Sequence, residues 1–461
     1  MINRRIVPLR SLLKTFHRTY HNEGNILKLA DRGFFQDIFP AEYVNKAKKL
    51  LTSGPQHIYA GFDPTADSLH IGNLLVLVGL LHCQRSGHIP IALLGGATGQ
   101  VGDPSGRKTE RNVLEQDRLH HNLACIRQQV SRIFENHNEI FWQGQEKEEL
   151  KPVIIVNNAD WYKKINSIEF VTRIGRYFRM GEMLSRSSVQ SRLNSDSGMS
   201  FTEFTYQICQ AYDWLHLYET YKCRFQLGGS DQMGNINSGH DLISKKEKKQ
   251  AFGITLPLIT NESGDKFGKS AGEAVWLDEN KTSAYSLYQF FVRQPDSEVE
   301  KLLKLFTFLP MNEVEEMLKR HKRTPELREP QNKIADDVTL LIHGREGLKK
   351  AKEVSSALFK GDATILGTLP TNEIKDIFKG APVVDILLEP GMTVFDLVTR
   401  VKCFPTDRDA SRIISAGGFY INQKKVTNIS EVICPGIHIM RNGLSLLRVG
   451  KRNYYIVKFL T

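Results

Sequence analysis

Short apolar runs that stop abruptly on glycine or asparagine recur through the first 280 residues. His57-Ile58-Tyr59-Ala60 ends at Gly61, Ile91-Ala92-Leu93-Leu94 runs into Gly95-Gly96, Val153-Ile154-Ile155-Val156 into Asn157-Asn158, and Arg224-Phe225-Gln226-Leu227 into Gly228-Gly229. Each run is too short for a helix and is bounded by turn formers, so it reads as a buried strand. The runs do not alternate apolar with polar, which is the pattern of strands covered on both faces, and helical patterns lie between them. That is an α/β fold built on a parallel sheet, with its ligand site outside the strand C-termini. A Rossmann-like domain is expected over residues 23–280.

At 461 residues the chain exceeds one ordinary domain. From about 281 to 375 the pattern is helical, with segments at 284–292, 299–306, 314–321 and 334–343. Breakers between Leu369 and Pro382 mark a linker, so a helical domain over 281–380 and a small α+β domain over 381–461 follow. No apolar run is long enough to cross a bilayer, and no membrane partner is expected. The net charge of +11 is concentrated at the two ends. Residues 1–22 carry Arg4, Arg5, Arg10, Lys14 and Arg18 without an acid, interleaved with apolar residues, Ser11 and Thr15. This is the composition of a mitochondrial transit peptide and lacks the apolar core of a secretory signal. The six cysteines form no CxxC pair and lack histidines at zinc spacing, which fits reduced thiols and no structural metal.

Two segments carry chemistry. In Tyr59-Ala60-Gly61-Phe62-Asp63-Pro64-Thr65-Ala66-Asp67-Ser68-Leu69-His70-Ile71-Gly72-Asn73 a strand and a turn lead into a helix expected over Leu69–Leu81. His70, Gly72 and Asn73 then occupy its first turn, where free N–H groups and the positive dipole end favour phosphate. Far downstream, Lys266-Phe267-Gly268-Lys269-Ser270 follows a run of turn formers. Two lysines three apart on such a loop can reach one polyanion. A third pattern lies on an expected helix from Tyr206 to Leu215. Tyr206, Gln210 and Asp213 fall on one face there, offering a phenol, an amide and a carboxylate to one substrate.

The first two segments resemble the HIGH and KMSKS motifs of class I aminoacyl-tRNA synthetases. Further likeness to the tyrosyl-tRNA synthetases of bacteria and mitochondria lies in Gly95-Gly96-Ala97-Thr98, Gly102-Asp103-Pro104-Ser105-Gly106-Arg107, Phe201 to Tyr206, Gln210 to Asp213 and Gly228-Gly229-Ser230-Asp231-Gln232. The resemblance implies that Tyr59 and Asp213 hold the tyrosine phenol, Tyr206, Gln210 and Asp103 its ammonium group, and that Gln232 lies beside its carboxylate. It implies ATP contacts from Asp63, Thr65, His70, Gly72 and Asn73, with Asp231 on the ribose. His70, Asn73, Lys266 and Lys269 form the implied catalytic set, and Arg107 and Arg111 a second basic loop near the pyrophosphate. ATP enters as a substrate with Mg²⁺, and no tightly bound cofactor is expected. The substrate carboxylate is ionised at neutral pH, so its attack on the α-phosphate needs positioning and charge stabilisation rather than a general base. The tRNA terminal ribose hydroxyl then attacks the adenylate.

Residues 409–426 resemble an S4 RNA-binding domain, with Arg408, Arg412, Lys424 and Lys425 facing RNA phosphates. Similarity to the family also implies a homodimer, with the contact near an insertion holding an amphipathic helix at Arg118–Phe134. The matrix of mitochondria is the expected compartment, and a tyrosine-accepting tRNA the macromolecular partner. Three departures stand out: Asn73 replaces the second histidine of HIGH, Gly268 the middle serine of KMSKS, and Met233 a tryptophan usual in bacterial relatives. Two other readings remain open at this point. One is a tryptophan-specific enzyme of the same fold, which the Tyr59 and Asp213 pair suits less well because indole has no hydroxyl. The other is an RNA-binding protein, such as a splicing factor, that kept the fold.

Overall fold

A computed structural model describes residues 26–106, 109–111, 114–142, 149–196, 198–260, 267–270, 273–360, 366–378, 381–450 and 453–460. The expected transit peptide at 1–22 lies outside them, as do Arg107 and Lys266. The described chain forms two units, one of residues up to 281 with 294–342, the other of 282–293 with 343–461. The helical stretch expected over 281–380 therefore divides between the two.

The first unit is organised by six strands: β1 (Asp37–Phe39), β2 (His57–Phe62), β3 (Ile89–Leu94), β4 (Ile154–Asn157), β5 (Phe225–Gly229) and β6 (Phe252–Leu256). Their order is β1-β6-β5-β2-β3-β4. All neighbours are parallel except β1, which runs antiparallel to β6. The expected parallel sheet is thus mixed at one edge; a three-residue strand is too short to show a period. Chain order reverses between β2 and β5, which makes that pair the topological switch point.

Helices connect the parallel strands. Ile71–Arg85 joins β2 to β3, and its buried Leu74, Leu77, Val78 and Leu81 each gain about 1.5–3 kcal/mol from burial. Gln116–Asn136 joins β3 to β4 and buries Leu119, Ile126, Val130 and Ile133. It is the ordinary crossover helix packed against β3, not part of an insertion. The added chain lies between β4 and β5, where short helices precede the long Phe201–Tyr221 helix. That helix and Met233–Glu247 pack together over one sheet face, with a core including Tyr59, Trp214, Leu217 and Ile236. Met233 packs at the margin of this core, which accounts for an apolar residue at that position. Helices Asp296–Phe306 and Met311–His321 complete the unit. Buried Arg32 holds the end of the first by donating to the carbonyls of Lys304 at 2.9 Å and Thr307 at 2.7 Å.

In the second unit the strands 424–426, 419–421, 444–449, 453–460 and 383–387 form one sheet in that order. Helices Val394–Val401 and Asp407–Ser415 pack with one face, burying Leu397, Val398, Ile414, Phe419, Leu447 and Val457. Leu446 and Ile456 point the other way, toward a second core with Tyr285, Val354 and Ile374. The Glu329–Lys360 helix, whose residues pass from one unit to the other, is broken at Gly344, which has φ 71°. Among the described residues no helix is long and apolar enough to cross a membrane.

Candidate active site

At the switch point β2 pairs with β3 along its whole length but with β5 only at Ile58 and Tyr59. Beyond Tyr59 the two central strands part, and the crevice is lined by the residues that follow them. Asp63 comes from one side; Gly229, Asp231 and Gln232 come from the other.

At the inner end lie Tyr59 and Asp213, 1 % and 2 % exposed. Asn158 Nδ2 donates to Asp213 Oδ2 and Trp161 Nε1 to Oδ1, both at 2.9 Å. Trp161 is itself held flat on His216, with centroids 4.4 Å apart. Burial outweighs these two donations and raises the Asp213 carboxyl to about 8. The Tyr59 hydroxyl is buried and has no hydrogen-bond partner among the described residues. Burial first and the nearby Asp213 second push its pKa well above that of a free phenol, so it stays a donor. Gln226, in register with Tyr59 on β5, likewise has a buried, unpartnered Oε1. Asn158, Trp161 and Gln226 did not stand out in the sequence; only the pair Asn157-Asn158 closing a strand hinted at one of them.

Nearer the mouth, two hydrogen-bonded groups converge. Tyr206 Oη donates to Asp63 Oδ2 at 2.8 Å and Thr98 Oγ1 to Oδ1 at 2.7 Å. Burial raises the Asp63 carboxyl despite these donors, with neighbouring Asp103 adding to the effect. Gly95 is required here, because a Cβ on it would stand 2.0 Å from Asp63 Oδ1. Asp103 accepts from Gln232 Nε2 at 2.6 Å, from the Ser105 amide at 2.9 Å and from Asn235 Nδ2 at 3.3 Å. The structure thus brings Asp63 together with Tyr206, and Asp103 with Gln232, pairings that the sequence could not reveal. Gln210 is half-buried with no side-chain hydrogen bond among the described residues. Thr65 is exposed on the turn after β2, its amide bonded to the Asp63 carbonyl. Arg111 is half-buried, its Nε unpartnered and its charge close enough to lower Asp63 and Tyr206 slightly.

His70 is the N-cap of the Ile71–Arg85 helix rather than a residue inside it. Its Nδ1 accepts from the Gly72 amide at 3.1 Å, while Asn73 Oδ1 accepts from the His70 amide at 3.1 Å. This reciprocal cap explains Asn73: its oxygen serves the helix, and its Nδ2 has no protein partner among the described residues. The downstream motif is tied to this helix start. Val275 N donates to Gly268 O at 2.7 Å, Ile71 N to Val275 O at 3.0 Å, and Leu277 N to Leu69 O at 2.8 Å. Lys269–Ser270 pairs with Glu273–Ala274 in a two-stranded hairpin. Gly268 has φ +84°, and a Cβ there would lie 1.8 Å from Ile71 Cγ2. The departure from serine at 268 is therefore a packing requirement.

The family profile described as tRNA synthetases class I (W and Y) matches residues 52–360, and that of the tyrosine–tRNA ligase SYY-like C-terminal domain matches 373–457. A curated mitochondrial tyrosine–tRNA ligase of Drosophila melanogaster is 60% identical over 98% of both chains. This chain belongs to the tyrosine–tRNA ligase family. The human mitochondrial tyrosine–tRNA ligase is 48% identical, over 95% of this chain and 92% of its own. A C-terminally truncated mitochondrial tyrosyl-tRNA synthetase of Aspergillus nidulans superposes with a TM-score of 0.67 at 31% identity, covering 76% of this chain and 97% of its own. Within this ligase's C-terminal unit, Arg408, Lys424 and Lys425 are exposed and have no acidic partner among the described residues. Arg412 instead pairs with Asp409 on its own helix, at 2.9 Å.

Proposed function

We propose that the two half-reactions of this tyrosine–tRNA ligase are carried by the crevice at the β2–β5 switch point. The enzyme joins tyrosine to ATP, giving tyrosyl-adenylate and pyrophosphate, then transfers tyrosine to the 3′ end of its tRNA. The observation that carries the site assignment is the buried, unpartnered Tyr59 hydroxyl beside Asp213. A substrate phenol accepts from the Tyr59 hydroxyl, which has no other partner among the described residues, and shares a hydrogen bond with the Asp213 carboxyl beside it. Phenylalanine would leave the buried Tyr59 hydroxyl unpaired, at about 1–3 kcal/mol. Tyr206, Gln210, Asp103 and Gln232 then form the polar end that takes the substrate's ammonium and carboxylate, and Asp63, held by Tyr206, contacts the ATP.

ATP lies against the capped helix start, with His70, Gly72 and the free amide of Asn73 facing phosphate or ribose, and with Thr65 and Asp231 beside them. Lys266, Lys269, Arg107 and Arg111 neutralise the departing pyrophosphate. Mg²⁺ enters on the triphosphate, which is its natural ligand. The helical segment 281–380 would meet the anticodon arm, and residues 381–461 would bind RNA through Arg408, Arg412, Lys424 and Lys425. The relatives named above are mitochondrial enzymes, and we assign this chain to the mitochondrion, in the matrix. A homodimer is supported by the exposed apolar side chains Ile168, Val171, Met180, Leu184, Leu193 and Phe201, concentrated between β4 and β5.

The test is amino-acid-dependent ATP–pyrophosphate exchange with tyrosine, phenylalanine and tryptophan in turn. Exchange with tyrosine alone is expected. Exchange with tryptophan would remove Asp213 from the role given to it.

A further inference from the structure

The C-terminal sheet has one feature that its charge alone does not explain. Across three strands, Lys425, Tyr420 and Arg448 stand in register as neighbours. Phe419 and Ile421 on either side of Tyr420 are buried toward the two helices, so Tyr420 faces the opposite side of the sheet. Part of that side is covered: Leu444, Leu446 and Ile456 lie in the second core, and Tyr454, the next member of the row, meets Phe378 with centroids 4.8 Å apart. Tyr420 and Arg448 lie further along and remain half-exposed.

Arg448 lies over the Tyr420 ring, its guanidinium carbon 3.8 Å from the centroid. Among the described residues it bonds only to the Gly450 carbonyl, at 3.0 Å, its Nε is buried without a partner, and no acid pairs with it. Elsewhere in this unit Arg400 and Arg412 are neutralised by Glu389 and Asp409. A planar cation stacked on a phenol, beside Lys425 on the same face with no acidic partner among the described residues, matches what a single nucleotide offers: a π-face and a phosphate.

We infer that Tyr420 and Arg448 form a stacking seat for one unpaired RNA base, with Lys425 on the adjoining phosphate. The inference rests on the reading that residues 381–461 bind RNA, and adds a contact that is aromatic rather than ionic. Backbone phosphates position an RNA along such a surface, whereas a stacked base fixes its register at one nucleotide.

The experiment is tRNA affinity of the full chain by fluorescence anisotropy across a salt series, with pyrophosphate exchange on the same preparations as the folding control. For Tyr420→Leu the expected result is affinity weakened on the order of tenfold, with the salt slope unchanged. Tyr420→Phe keeps affinity within about twofold. Arg448→Lys, which keeps charge but loses the plane, falls like Tyr420→Leu. The double variant Lys424→Ala/Lys425→Ala weakens binding and lowers the salt slope by about 1–2. If the lysine variant weakens binding while Tyr420→Leu and Arg448→Lys bind normally, the stacking seat is wrong and the RNA surface stands. If none of the variants changes affinity, both fall.

Discussion

Gly268→Ala tests how the two motifs are joined. The glycine sits at φ +84°, where a side chain costs about 1–2 kcal/mol. The new Cβ would also stand 1.8 Å from Ile71 Cγ2, and Ile71 is 0 % exposed, so it has no room to retreat. Overpacking a well-filled site costs about 1–3 kcal/mol. The sum, about 2–5 kcal/mol, is set against the docking of the 267–275 hairpin onto the helix start. The expected outcome is tyrosine-dependent pyrophosphate exchange slowed roughly 30-fold to several thousand-fold. Tyrosine affinity, measured by equilibrium dialysis, should hold, because among the described residues no hydrogen bond joins Tyr59 or Asp213 to the hairpin. Adding Ile71→Ala removes the clashing atom, so the double variant should exchange faster than Gly268→Ala alone. Wild-type exchange in Gly268→Ala would refute the argument. So would equal losses in exchange and tyrosine affinity, which would indicate general damage rather than a displaced hairpin.

Asp213→Ala should abolish measurable tyrosine binding in calorimetry while ATP binding persists. The same residue sets a pH dependence. Its folded-state carboxyl, raised to about 8, lies far above the ordinary value of ~3.9, so between those limits the native state holds a proton that the unfolded chain has released. Stability should therefore fall as pH rises from about 4 to 8, and urea midpoints of Asp213→Ala should lack that part of the decline. Trp161→Phe keeps a ring on His216 but removes one of the two donors to Asp213; tyrosine affinity should drop by about 1.5–3 kcal/mol, read by calorimetry. Phe201→Asp places a charge at an apolar side chain that is 81 % exposed, and sedimentation should show monomer if that face joins two copies.

Much of the fold was legible because its signals are local. Apolar runs closed by glycine or asparagine located β2 to β5 within a few residues, and the helices expected over 284–292 and 69–81 followed from continuous or periodic hydrophobicity. Strand β1 was not legible, since three residues carry no period, and spacing alone does not tell a crossover helix, such as the one expected over Arg118–Phe134, from an added one.

The sequence by itself determined the chemistry available: a loop with two lysines, a helix start with free amide groups, and a phenol and carboxylate on one helix face. These depend on residue type and on separations of three or four positions, which local backbone geometry converts directly into space. Only the tertiary structure decided the partnerships. Asp213 is flanked by Asn158 and Trp161, Asp63 by Tyr206 and Thr98, and Gly268 by Ile71. Each joins residues more than thirty positions apart, brought together by the order of the strands and by packing across them. No local pattern encodes such a meeting, because what fixes it is the burial of both partners at once.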